Sequence, residues 1–429
     1  MPEIEELYQI YLKHPLVCTD TRIITKECMF FALKGDNFNG NAYALEALEK
    51  GAAYAVIDEA QDLKDPRLFL VDDVLIALQK LARHHRDHYK SPVIGITGSN
   101  GKTTTKELMN AVLSSQFKVH ATGGNFNNHI GVPLTLLGLR NDHQLAIIEM
   151  GANRMGEITE LCLISDPDVG LVTNIGKAHL QGFGSYEGVK QTKLGLFKHV
   201  QAKNGLLFVN ADDPVLMAAS EGYQRLTYGR SGTGLEADYF VNSQGCLSLR
   251  LTLGGQQHEL PTQLYGSFNF SNVLAAVAIG LHFNVSLDNI KSALRNYLPT
   301  NNRSQILKKG TNRIIMDAYN ANPSSMKLAI DSFVDFPGDK KMLLLGDMLE
   351  LGEVSRDEHL SVAAQLSSCG FEEVCLVGKE FSAISAPFKT FETTEELKKY
   401  LESRKYSGYS ILMKGSRGIG LEKVLDVLN

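Results

Sequence analysis

The run Thr97-Gly98-Ser99-Asn100-Gly101-Lys102-Thr103-Thr104 constrains this chain more than any other stretch of it. It follows the apolar segment VIGI (93–96) and precedes a stretch that reads as a helix from Thr103. A strand, a glycine turn and Lys-Thr at a helix N-terminus make a phosphate cradle. Backbone N–H groups and the helix dipole face the anion, Lys102 reaches the β/γ oxygens, and the Thr103 hydroxyl is suited to Mg2+. Gly98, Ser99, Asn100, Gly101, Lys102, Thr103 and Thr104 are therefore candidate nucleotide-binding residues. The spacing departs from the usual G-x-x-x-x-G-K-[ST], because Ile96 stands where the first glycine falls. Such a loop belongs to a parallel sheet whose ligands lie at the carboxyl ends of the strands. By itself it leaves kinase, GTPase, transporter and ligase open.

The rest of the chain keeps that rhythm. After VIGIT come LAIIEM, VGLVTN and GLLFVN, separated by helical stretches, so a parallel sheet with helices on both faces is expected. The interval from about 238 to 264 alternates (LSLRLTL) between turn signals and predicts an antiparallel appendage on the same domain. Strand and helix alternate again beyond LPTNNRS. Before residue 88, short β-rich runs and helices predict a smaller α/β unit, closed by a helix over 74–88. At about 150 residues per domain, 429 residues fit about three. We place them at 1–88, 89–299 and 300–429: an α/β protein with a small N-terminal domain, a central P-loop domain and a C-terminal Rossmann-like domain.

Composition excludes several classes. With 43 Lys and Arg against 48 Asp and Glu the net charge is −5, which argues against a wide basic surface for nucleic acid. The six cysteines form no C-x-x-C pair, and a reduced, cytoplasmic compartment is expected. The N-terminal MPEIEELYQIYLKHP carries acids where a signal peptide needs bases, and no run of about 18 apolar residues predicts membrane insertion. Nothing in the sequence demands more than a monomer.

The shortened loop T-G-x-N-G-K-T-T resembles that of the Mur ligase family, the ATP-dependent amide-forming ligases of cell-wall precursor synthesis, which also include folylpolyglutamate synthases. The resemblance continues along the chain. ATGGNFNNHIGVPLTLL (121–137) is similar to the G-N-x-N-N-x-I-G-V-P-L-T loop of the branch that adds D-alanyl-D-alanine. Glu149-Met150-Gly151 resembles its E-M-G, and T-N-I-G-x-A-H (173–179), G-F-G-S-x-E-G-V (182–189) and Lys193 resemble the following segment. Asp317 with Tyr319-Asn320-Ala321-Asn322-Pro323, LGDMLELG (345–352) and KGSRG (414–418) complete it.

This resemblance implies an ATP- and Mg2+-dependent ligase joining D-alanyl-D-alanine to UDP-N-acetylmuramoyl-tripeptide through an acyl phosphate. Thr103, Glu149, His179 and Lys193 are implied around the metal, with Lys193 carbamoylated into a carboxylate-like group. Lys102, Glu149, His179 and Lys193 are the implied catalytic set. Asn269 and Asn272 resemble the H-N-x-x-N pair that contacts ATP, with Phe268 in place of the histidine; Arg303 and Asp317 are implied cofactor contacts too. Thr21, Arg22 and Asn41 resemble the UDP-sugar pocket, with Asn41 in place of a histidine. Asn125, Asn128, Tyr319, Asn320 and Asn322 are the remaining implied substrate contacts, and the C-terminal domain is expected to close before chemistry. Two rivals stay in view: a sibling Mur or folylpolyglutamate-type ligase adding one amino acid, and a P-loop ATPase switch or binding module that forms no bond.

Overall fold

A computed structural model describes residues 2–60, 65–176, 180–232, 234–300 and 302–428. Its sheets have four, nine and six strands, with a two-stranded ribbon beside the first. The α/β class read from the sequence is the class found.

The nine-stranded sheet carries the P-loop. Val93–Thr97 lies between Val169–Val172 and Leu145–Glu149, all parallel. Every residue of these three strands is buried, as expected for strands covered by helices on both faces. Successive side chains enter different cores: Ala146 and Ile148 join one, Leu145 and Ile147 the other. The second core is closed by Phe270–His282, a helix apolar on nearly all sides and therefore interior. It approaches the P-loop helix Lys102–Leu113 so closely that a Cβ on Gly280 would come within 2.5 Å of Val112. At its far edge the sheet becomes antiparallel through Leu235–Val241, Cys246–Leu253 and Gln256–Tyr265. The last two strands are joined by Gly254-Gly255, both at positive φ, which is what a two-residue hairpin turn requires.

The N-terminal sheet is parallel, in the order Val17–Cys18, Met29–Phe31, Tyr54–Ile57, Leu68–Leu70. Helices Pro2–Lys13 and Val74–His88 pack towards the central sheet, and one core runs from Leu7 through Leu81 to Leu136 and Ile148. Tyr11 Oη donates to the Leu137 carbonyl, and the buried Arg86 donates to the carbonyls of Ser165 and Asp166 and to the Asp168 carboxylate.

In the six-stranded sheet Gln305–Lys309 is antiparallel to Asn312–Asp317; the others run parallel in the order Asn312–Asp317, Tyr409–Lys414, Lys340–Gly346, Glu373–Val377, Lys389–Phe391. The connection into it turns sharply, with Asn302 and Ser304 both in the left-handed region. Among the described residues no helix is long and apolar enough to cross a membrane, and the six cysteines are free.

Candidate active site

The cradle forms because two positions admit only glycine. Gly98 leaves the strand at φ +147°, where a Cβ would sit 1.9 Å from Thr173 Oγ1. Gly101, at φ +78°, precedes helix Lys102–Leu113, and a Cβ there would meet the Asn272 amide at 2.6 Å. The loop between them is pinned to the end of the neighbouring strand. Ser99 N–H donates to the Asn174 carbonyl, Asn100 N–H to Asn174 Oδ1, and Thr173 Oγ1 to the Asn100 carbonyl (2.6 Å). Lys102 folds back onto the loop, donating to the carbonyls of Gly98 (2.6 Å) and Ser99 (3.2 Å). Desolvation pushes its pKa below the ordinary lysine value, with the negative charge of Glu149 opposing and Arg303 adding to the fall.

Glu149 ends its strand at the same level and is 1% exposed. Thr103 Oγ1 (3.0 Å) and Asn127 Nδ2 (2.8 Å) both donate to its Oε1. Its Oε2 is buried with no hydrogen-bond partner among the described residues. A buried carboxylate oxygen left without a partner, on a residue that lines the cavity beside a phosphate cradle, is a hard donor without a cation, so the residues present fit Mg2+. Lys193, on helix Tyr186–Lys193, is 2% exposed, with Nζ 5.8 Å from the Phe183 ring centre. Burial drives its pKa well below the ordinary lysine value, and the charge of Lys102 pushes the same way.

A cavity of about 630 Å3 brings most of the candidates together. Ser99 to Thr104, Asn125, Asn128, Glu149, Asn269 and Asn272 line it from the central unit; Arg303, Asp317, Tyr319, Asn320 and Asn322 line it from the far side. Gly98 and Lys193 are not among the lining residues, and His179 lies outside the described residues. The far wall is internally braced. Lys414 Nζ donates to Asp317 Oδ2 (2.6 Å), Ser304 N–H to Asp317 Oδ1 (3.0 Å), and the Arg303 guanidinium lies 3.7 Å from the Tyr319 ring centre. Asn322 Nδ2 donates across the cavity to Asn100 Oδ1 (2.7 Å). Asn269 and Asn272 turn partly inward: Thr105 Oγ1 donates to Asn272 Oδ1, Asn272 Nδ2 to Asn269 Oδ1, and Asn269 Nδ2 to the Tyr265 carbonyl and Ser304 Oγ.

Two residues at this site escape a sequence reading. Asn127 stands between the candidates Asn125 and Asn128, and only the fold shows that it, and not they, reaches Glu149. Lys414 opens KGSRG, but its pairing with Asp317 crosses 97 residues.

Comparison with known proteins agrees with this architecture. Two family models match the chain: the Mur ligase middle domain over residues 96–280 and the Mur ligase, glutamate ligase domain over residues 302–417. The UDP-N-acetylmuramoyl-tripeptide--D-alanyl-D-alanine ligase of Bacillus subtilis is 38% identical over 427 residues, covering 96% of this chain and 92% of that one. The Escherichia coli protein of the same name is 35% identical over 96% and 93%. The chain belongs to the Mur ligase family. Crystal structures of MurF from Acinetobacter baumannii (TM-score 0.88, 31% identity, 96% and 92% covered) and of MurF from Thermotoga maritima in complex with ADP (TM-score 0.87, 28% identity, 97% of each) share its fold.

In this Mur ligase the N-terminal candidates lie apart from the cavity. Arg22 is bound bidentately to Asp20, which its guanidinium holds down to about 2. Thr21 is half-buried beside it, and its carbonyl accepts from Lys50 Nζ. Asn41 is buried: its Nδ2 donates to Asn39 Oδ1 and Asp58 Oδ1, and its Oδ1 accepts the Asp58 N–H. Its amide holds the start of the segment after strand Tyr54–Ile57, a bracing role that the residue type alone does not reveal.

Proposed function

We propose that this Mur ligase joins D-alanyl-D-alanine to the free carboxylate of UDP-N-acetylmuramoyl-tripeptide, converting ATP to ADP and phosphate. The observation that carries the reading is one cavity in which a phosphate cradle, a buried carboxylate whose Oε2 has no partner among the described residues and the Asp317–Asn322 segment of the C-terminal unit converge, in a chain similar along its length to ligases of that name. Residues 1–88 would take the UDP-sugar, 89–299 ATP, and 300–429 would close over the amine. Six free cysteines suit a cytoplasmic setting.

The chemistry starts from an unreactive carboxylate. One of its oxygens bonds to the γ-phosphorus as the bond to the β-γ bridging oxygen breaks, leaving an acyl phosphate and ADP. The dipeptide amine then bonds to the acyl carbon, loses a proton, and phosphate departs. Lys102, displaced from its loop carbonyls, would hold the γ-phosphate, while the Ser99–Thr104 amides bind the phosphate chain. Thr103, Glu149 through Oε2, His179 and a carbamoylated Lys193 would hold Mg2+, which supplies charge neutralisation on the transferring phosphoryl group. Lys193 suits that role as a buried amine: its neutral form can bond to CO2 and lose a proton, turning a cation that Lys102 repels into an anion. Asn322 and Asn100 would draw the C-terminal unit onto the loop, and Tyr319, stacked with Arg303, would shape the amine's approach. Water exclusion and positioning then provide most of the acceleration.

The deciding measurement is phosphate release with each substrate omitted in turn. Release that requires UDP-tripeptide and D-alanyl-D-alanine together is expected; equal turnover of ATP without either would leave a P-loop ATPase instead.

A further inference from the structure

The helix that opens with Lys102 carries a second lysine one turn on. Lys106 is 1% exposed, and its Nζ donates to the Thr122 carbonyl (2.6 Å) and pairs with Glu107 Oε1 (2.7 Å). An ammonium in a protein interior is costly unless well partnered, and methionine would fill nearly the same volume. What the charge holds is therefore the place to look for its use.

Thr122 follows strand Val119–Ala121 and is bonded to the strand that ends in Glu149. Its N–H donates to the Ile147 carbonyl (2.9 Å), and its Oγ1 accepts the Glu149 N–H (3.0 Å). The chain then runs through Gly123 and Gly124, where a Cβ would meet nothing within 4 Å. It returns at Asn127, whose Nδ2 donates to Glu149 Oε1 (2.8 Å) and whose carbonyl accepts the Gly151 N–H (2.7 Å). Residues 122–127 thus form an arm that grips the strand end at the Glu149 backbone, the Glu149 side chain and Gly151. The two glycines are unpacked, and the arm closes through a turn in which Phe126 N–H donates to the Gly123 carbonyl (3.1 Å), so its grip on the Glu149 strand comes from its two ends. One end is fixed by Lys106 through a charge-assisted bond, a stronger hold than a neutral donor offers.

We propose that Lys106 is a positioning residue for the ligase reaction: by fixing the Thr122 carbonyl it sets the 122–127 arm, so that Asn127 and Thr103 occupy Glu149 Oε1 and Oε2 keeps no partner among the described residues, available to a cation. The inference rests on the reading of Glu149 as a divalent-cation ligand. Groups that orient a metal ligand typically contribute about 10- to 100-fold in metal affinity.

The test titrates Mn2+ by EPR into the full-length enzyme saturated with the β,γ-imido analogue of ATP, alongside binding of that analogue in EDTA and thermal unfolding. Lys106→Met, Lys106→Gln and Asn127→Ala are compared with Glu149→Gln. All four should lose about 10-fold or more in Mn2+ affinity, while metal-free analogue binding stays at the wild-type value in the two Lys106 variants. A damaged P-loop would weaken both. Loss in Glu149→Gln with none in the folded Lys106 variants overturns the role of Lys106 alone. Unchanged Mn2+ binding in Glu149→Gln overturns the reading of Glu149 and this inference with it. Failure of both Lys106 variants to fold also overturns it, because a packing role then suffices.

Discussion

Lys193 shows how far a single residue can be read and where the fold must speak. In the sequence it is one lysine on a helix that also carries Glu187 and Lys190, and its neighbours predict an exposed side chain paired with an acid. The structure buries it and sets it near Lys102, so its amine loses its proton more readily than an exposed lysine. Only the neutral amine combines with CO2. With the pKa lowered, that form is populated at pH values where an ordinary lysine, at 10.5, is still charged. At a fixed concentration of dissolved CO2, enzyme stripped of CO2 should therefore regain activity faster as pH rises, levelling off below pH 10.5. Reactivation rates across a pH series check this, and a profile still climbing beyond that value would contradict it. Lys193→Ala should be inactive and should recover part of its activity with short carboxylic acids, which return the missing anion.

Elements were more legible than side-chain partners. VIGIT, LAIIE and VGLV announce buried parallel strands because their residues up to the strand ends at Thr97 and Glu149 are apolar or glycine without alternation, and LSLRLTL announces an antiparallel one because its residues alternate. The phosphate cradle was legible for the same local reason: its glycines, lysine and threonine are contiguous. What stayed hidden depends on chain segments meeting in space. Asn272 takes its hydrogen bond from Thr105 across 167 residues, and Asn41 spends its amide on Asp58 as well as Asn39. An asparagine that contacts a ligand and one that braces a loop have the same letter. The cradle also shows why Ile96 can replace a glycine: it lies inside the strand, fully buried, and the turn begins two residues later at Gly98. Gly98→Ala would drive a methyl group into Thr173 at a φ that alanine resists. It should lower kcat/KM by about 100-fold or more, since displacements near 1 Å carry penalties of that size. Nucleotide titration beside thermal unfolding separates loss of the cradle from loss of the fold.

At the scale of the whole molecule, the site exists only where the central and C-terminal units meet, and among the described residues one hydrogen bond joins the P-loop itself to the far wall. Asn322 Nδ2 donates to Asn100 Oδ1 while Asn322 Oδ1 accepts the Ser325 N–H, so the residue both caps helix Pro323–Val334 and reaches the loop. The two duties can be separated. Serine caps a helix as well as asparagine but is too short to reach Asn100, whereas alanine does neither. Asn322→Ala should cost about 1 kcal/mol of stability from the lost cap and should lose activity as well. Asn322→Ser should unfold at the wild-type temperature and still lose activity, chiefly in kcat, because the C-terminal unit no longer closes on the loaded loop. Fluorophores on the two units should then report less compaction than wild type with the ATP analogue and UDP-tripeptide bound together. If Asn322→Ser closes and turns over like wild type, the bond to Asn100 is incidental. Closure would then rest on the contacts that both units make with bound ligand, because the Asp317–Lys414 and Arg303–Tyr319 pairs brace the far wall only from within.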